Sequence, residues 1–237
     1  MKELAKYLND PNFLNIYRFG SRVYETNTNL SDEDYIAVVN NKFISDNINL
    51  HIYTKIEFQH LLDEHNIEML ECFFLAEKHK LKELVKFKFS LNLNKLRTAI
   101  STVGNGSWVR GKKKLTISAD YNKYLGIKSI FHSLRILNYG IQIAKNGKIL
   151  DYSASNYIWV DILEISQKLD SFELWNILEK KYRKEFNKLK SEFTVLCPKG
   201  YNKNDIKMNK LQELLSNFGI ENELLASEIY NLFVKNN

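Results

Sequence analysis

The sequence predicts an α+β protein, with a small N-terminal sheet and flanking helices followed by a mostly helical C-terminal domain. Three observations carry that expectation. A strand–turn–strand pattern spans 15–39, DYIAVV is a continuous apolar run of the kind buried strands show, and the periodicity changes to 3.6 residues after about residue 76.

In chain order, MKELAKYLND alternates charged and apolar residues like a short helix and lacks the apolar core of a signal peptide. NIYRF is β-rich, TNTNLSDE is loop-forming, DYIAVV is a buried strand, and NINLHIY (47–53) alternates as a third strand. EFQHLLDEH (57–65) has helical spacing at Phe58, Leu61 and Leu62, whereas IEMLECFFL (67–75) fits either a strand or a buried helix. KELVKFKFSLNLNKLRTAI reads as a helix or a pair of short elements, and GNGS (104–107) predicts a break. KSIFHSLRILNYGIQIAK (128–145) predicts a helix. SFELWNILEKKYRKEFNKLKSEF (171–193) predicts another, with apolar residues at 172, 175, 178, 182, 186, 189 and 193 and with Pro198 and Gly200 as its stop. Two short helices, from Asp205 and after Gly219, are expected to close the chain. The expected domains are 1–90 and 91–237.

The 237 residues are 44% hydrophobic and 13% aromatic, which excludes sustained disorder. A formal charge of +6 favours anionic partners such as nucleotides or RNA. Cys72 and Cys197 have no CxxC spacing, and nothing approaches the ~18 uninterrupted apolar residues of a membrane span. The expectation is a cytoplasmic, reduced protein with no membrane partner.

The chemistry concentrates in FGSRVYETNTNLSDEDYIAVV, residues 19–39. On a strand, Asp32 and Asp34 share a face and Glu33 points the other way. Two ionised carboxylates on one face repel unless a cation lies between them. With no His or Cys beside them, hard oxygen ligands suit Mg²⁺ or Mn²⁺, whose shell is completed by water and substrate phosphate. Gly20-Ser21 follows the first strand and is placed to begin a helix, where backbone N–H groups and the Ser hydroxyl meet a phosphate. No Walker loop is present. Taken singly, each motif also fits an ordinary polar loop with Asp and Ser caps.

This stretch resembles the DNA polymerase β-like nucleotidyltransferase superfamily, in which a Gly-Ser pair precedes Asp-x-Asp by about ten residues beside a strand. It is similar to predicted nucleotidyltransferases of bacteria and phages with a Gly-Ser-Arg-x-Tyr-Gly-Thr run, except that Glu25 replaces the second Gly. The resemblance is strongest over 16–40, weaker through HIYTKIEFQHLLDEHNIEMLECFFL, SWVRGKKKL and KSIFHSLRIL, and absent from the C-terminal helices. It implies a mixed β-sheet of nucleotidyltransferase type. Gly20, Ser21 and Arg22 would bind the nucleotide, and Asp32 and Asp34 would be catalytic and hold the metal, Mg²⁺ or Mn²⁺. The third carboxylate of such sites falls here at Asn49, which is neutral. Either Glu71 or Glu68 stands in for it, or Asp46 does in another register, or one tightly held metal suffices, or the copy is weakened.

Lys128, His132 and Arg135 share one helical face at i, i+4 and i+7, as on a similar helix of the relatives, and would close over the triphosphate. SWVRGKKKL places Arg110, Lys112, Lys113 and Lys114 beside Trp108, a pattern suited to stacking on a base while the basic groups meet phosphates. His60 and His65 are expected at the surface. His51, two residues after Asn49, is placed to act near the metal. The expectation is a Mg²⁺-dependent transferase moving a nucleoside monophosphate from an NTP to a hydroxyl, with RNA as one acceptor and pyrophosphate as product. The alternative is a degenerate nucleotide- or RNA-binding protein, or an antitoxin-like partner, without turnover. A third reading makes the carboxylates loop caps.

Overall fold

The computed structural model describes residues 2–29, 31–45, 49–169 and 171–198. The helices expected from Asp205 and after Gly219 lie outside these residues, as do Asp46 and Gly200. Helix α1 (Lys2–Asn9) leads into β1 (Phe13–Phe19), and a single turn, α2 (Ser21–Tyr24), precedes β2 (Asp34–Val39) and β3 (Leu50–Thr54). Helices α3 (Lys55–Asp63) and α4 (Ile67–Phe73) precede β4 (Lys80–Glu83). The rest is helical: α5 (Leu93–Thr116), α6 (Lys123–Asn146), α7 (Asn156–Lys168) and α8 (Ser171–Leu196).

The strand order is β3-β2-β1-β4. β1 runs antiparallel to β2 and β4, while β2 and β3 are parallel, so the sheet is mixed. β2 shows no polar alternation because both of its faces are covered. Ile36 and Val38 enter the core shared with the helices; Tyr35, Ala37 and Val39 join Phe13, Ile16 and Leu50 in a second cluster against Leu4, Tyr7 and Leu8 of α1.

Three expectations are corrected. Helical periodicity after residue 76 gives way to a 3₁₀ turn, β4 and an extended stretch up to Asn92. A tertiary brace holds that stretch: the side chain of fully buried Asn15 accepts from the Leu84 and Val85 N–H groups at 3.0 and 2.9 Å and donates to the Val85 carbonyl at 2.7 Å. GNGS is no break but part of α5, since its small residues admit α6. A Cβ on Gly111 would collide with Ile130, and the Gly104 carbonyl accepts from Ser133 Oγ at 2.6 Å. Close packing thus offsets the roughly 1 kcal/mol that each glycine costs a helix.

His65 is the third correction, fully buried instead of exposed. It follows α3 with φ 59°, and its Nε2 accepts from the Asn92 N–H at 2.8 Å while Nδ1 lies 3.0 Å from the Asp63 carbonyl. An amide N–H can only donate, so the proton of this imidazole is on Nδ1. The ring joins the end of α3 to the N-cap of α5, and burial holds its pKa below the usual histidine value.

The chain up to Pro198 is one compact unit. Its main core runs without interruption from Tyr17, Ile36 and Phe58 to Leu134, Trp175 and Phe193. Both cysteines are free and buried, and no helix among the described residues is long and apolar enough to cross a membrane.

Candidate active site

β1 ends at Phe19, which is paired with Asp34 at the start of β2. Gly20 therefore emerges beside Asp34, and a Cβ at Gly20 would run into the Asp34 carboxylate. Its backbone (φ 77°, ψ −153°) lies in a region reserved almost wholly for glycine. Two constraints, one conformational and one steric, thus require glycine here. Ser21 then opens a helix of only four residues.

The loop between α2 and β2 presents Asp32 and Asp34 differently from a strand. β2 begins at Asp34, so Asp32 lies in the preceding loop, exposed, and strand alternation does not align the pair. They are nevertheless neighbours. Burial raises the pKa of half-buried Asp34, Lys128 lowers it, Asp32 raises it further and His51 lowers it. Four charged or titratable groups from the loop, α6 and β3 thus converge on one carboxylate. No described residue donates a hydrogen bond or ion pair to Asp32 or Asp34 beyond these long-range effects.

Glu33 is already satisfied. It accepts a hydrogen bond from the Tyr35 hydroxyl, which with the Arg22 charge holds its pKa low, and Arg22 Nε lies 3.5 Å away. Arg22 also donates to the Ser31 carbonyl at 3.1 Å. The expected nucleotide contact from Arg22 is thereby replaced by a brace across the loop that carries the aspartates.

Asn49 falls where the third carboxylate was expected to be missed. The Tyr35 N–H donates to its carbonyl at 2.8 Å, and the parallel register that pairs Leu50 with Tyr35 brings Asn49 alongside Asp34. His51, paired with Ile36, lies on the Asp34 face of the sheet. Among the described residues no group of three His, Cys, Asp or Glu is placed to hold a metal ion.

Glu71 does not join this group. It is 2% exposed, accepts a hydrogen bond from the Tyr24 hydroxyl and faces the Arg135 charge; burial nevertheless pushes its pKa up to about 7. Glu68 instead takes a long 3.4 Å contact from the Tyr53 hydroxyl.

The expected cationic face of α6 splits. Lys128 is exposed and His132 half-buried, but Arg135 is buried, with its guanidinium 3.5 Å above the Tyr24 ring and one nitrogen 2.9 Å from His132 Nδ1. Arg135 is therefore no direct phosphate contact. It docks α6 on α2, the turn that follows Gly20.

The expected nucleic-acid contact is dispersed as well. Trp108 is 3% exposed, packed on Phe186 at 4.6 Å and under Arg183 at 4.8 Å, so it is a core residue and no stacking platform. Arg110, Lys112 and Lys113 are exposed on α5; Lys112 lies 5.8 Å from the Trp175 ring, and Lys114 pairs with Asp120. Two partnerships were missed from sequence, Tyr24 with Glu71 and Arg110 with His132. Tyr24 stood within the quoted motif, but nothing local marked its distant partner. No family model, curated protein or solved structure matches this chain.

Proposed function

We propose that the chain is a Mg²⁺-dependent nucleotidyltransferase of the DNA polymerase β-like type, moving a nucleoside monophosphate from an NTP to a hydroxyl acceptor. The observation that carries this reading is the apposition of Gly20 and Asp34, with Asp32 beside them and Lys128 opposite. Two carboxylates that accept no hydrogen bond from the described residues suit a hard divalent cation, which needs few protein ligands when water and phosphate complete its shell. Asp32 and Asp34 would hold it, and it would neutralise charge on the reacting phosphates.

The chain's own residues do the rest. Gly20 lets the backbone approach the Asp34 carboxylate, the Arg22 brace sets the height of the loop, and Lys128 adds positive charge from the helical side. The acceptor oxygen bonds to the α-phosphorus as pyrophosphate leaves. Asn49 cannot take up the acceptor proton, which supports a second reading: nucleotide or RNA binding without turnover, as in a degenerate enzyme or an antitoxin-like partner.

The test is incubation with each labelled NTP, Mg²⁺ and RNA, protein or small-molecule acceptors. Transfer that disappears in the Asp32→Ala, Asp34→Ala double variant supports the enzyme. Calorimetric NTP binding with no metal-dependent release of pyrophosphate supports the second reading and overturns the first.

A further inference from the structure

Helices α5 and α6 pack antiparallel, because Gly104 lies against Ser133 and Leu137 while Gly111 lies against Gly126 and Ile130. Arg110, next to Gly111, is thereby brought level with the first turns of α6, where Lys128 and His132 stand four residues apart. Arg110 and Lys128 are both exposed and have no ion-pair partner among the described residues. His132 is constrained from below. A guanidinium can only donate, so the 2.9 Å contact from Arg135 requires His132 Nδ1 to be the acceptor. The neutral ring then carries its proton on Nε2, which no described residue engages.

We infer that Arg110, Lys128 and the Nε2–H of His132 form a three-donor site for the polyphosphate tail of a nucleotide, with Arg135 a positioning residue that fixes the imidazole tautomer. The assignment of the anion to a nucleotide rests on the proposed function. Two further observations support the grouping. Burial, then the Arg135, Arg110 and Lys128 charges, push the His132 pKa down to about 3, which keeps the ring a neutral donor at physiological pH. The same Lys128 acts on Asp34, so the three donors lie on the side of α6 that faces the Gly20–Asp34 junction. Every group in the set donates, and a cluster of donors without acceptors selects an anion.

The probe is inorganic tripolyphosphate, titrated calorimetrically into the full chain at low ionic strength without divalent metal. Arg110→Gln and His132→Phe should each weaken binding about tenfold, whereas His132→Gln, whose amide N–H reaches the Nε2 position, should stay within about threefold. Thermal melts of each variant confirm folding. Nitrogen-15 spectra of the imidazole should show the Nε2–H tautomer from pH 5 to 8 and lose it in Arg135→Met. Unchanged tripolyphosphate affinity in folded Arg110→Gln and His132→Phe, or an Nδ1–H tautomer in the native chain, overturns the inference. Binding through these residues with no nucleotidyl transfer to any acceptor leaves the site standing and overturns the enzyme. Transfer with an unchanged KM for NTP in Arg110→Gln overturns the site and leaves the enzyme.

Discussion

Glu71 and Asp34 flank the same short helix α2, and they use their charge in opposite ways. Glu71 is enclosed: the Tyr24 hydroxyl and the Arg135 guanidinium face it, and the Tyr152 hydroxyl donates to its backbone carbonyl at 2.6 Å. Asp34 is half open, with Asp32 beside it and cationic groups that act from a distance without pairing. A carboxylate whose neighbours already satisfy it builds structure, and one left with a like charge and unmet lone pairs awaits a ligand. The interior cluster ties α2 and α4 to α6, and the open one uses the position this gives to Lys128.

The comparison breaks most forcibly at Glu71. Glu71→Ala leaves Arg135 buried without its counter-charge and is expected to cost about 3–5 kcal/mol of folding stability in urea melts. A double variant with Arg135→Met should lose clearly less than the sum of the single losses, since the two groups answer each other. The pH dependence has a defined sign. The Glu71 pKa rises from 4.5 unfolded to about 7 folded, so the folded state binds the extra proton and stability falls as pH increases across that window. Glu71→Gln should flatten that fall. His65 acts in the reverse direction: its folded pKa lies below 6.5, so its contribution is complete above that pH and is lost as the medium becomes more acidic.

Trp108→Ala tests the second interior feature. With its ring packed against Phe186 and Trp175, truncation is expected to cost about 3–5 kcal/mol. Should a folded Trp108→Ala variant keep native stability and lose only RNA binding, the interior assignment is wrong.

These two residues also mark where local sequence stops informing. DYIAVV gave β2 at its observed bounds, Asp34–Val39, because burial on both faces leaves an unbroken apolar run. The long helices α6 and α8 were equally legible from their apolar spacing. By contrast, Trp108 looked like a platform because its basic neighbours are adjacent in sequence, yet a 3.6-residue turn sends Trp108 into the core and Arg110 outward. Glycines in α5 read as a break because propensity is local and helix–helix contact is not. At the open site, Gly20, Asp32 and Asp34 were legible as a pattern. The loss of Arg22 to Glu33 and of Arg135 to Tyr24 was not, since each partner is chosen by the folded chain.

Gly20→Ala sharpens the open half. The new methyl group meets both an unfavourable backbone region and the Asp34 carboxylate, so a stability loss of about 1–3 kcal/mol is expected. If Gly20 serves only as a turn, nucleotide binding should survive in the fraction that remains folded. If it sets the position of Asp34, metal-dependent binding of NTP should weaken even where melts show the variant fully folded.

The smallest effect is expected at Glu25, the residue after α2. It adopts a left-handed conformation (φ 59°, ψ 32°) and its N–H caps the turn by donating to the Ser21 carbonyl. A non-glycine residue there costs about 1–2 kcal/mol, and glycine returns part of that gain through its greater freedom when unfolded. Glu25→Gly is therefore expected to stabilise the chain by about 0.5–1 kcal/mol, read as a higher urea midpoint with an unchanged slope. The turn it relaxes lies between the two clusters, with Tyr24 on its buried side and Gly20 on its open side. If the gain in stability comes with unchanged NTP affinity, strain at Glu25 is confined to folding. If affinity rises as well, the left-handed glutamate is holding Gly20 and Asp34 away from their best geometry, and the departure from the Gly-Thr pattern has a functional cost.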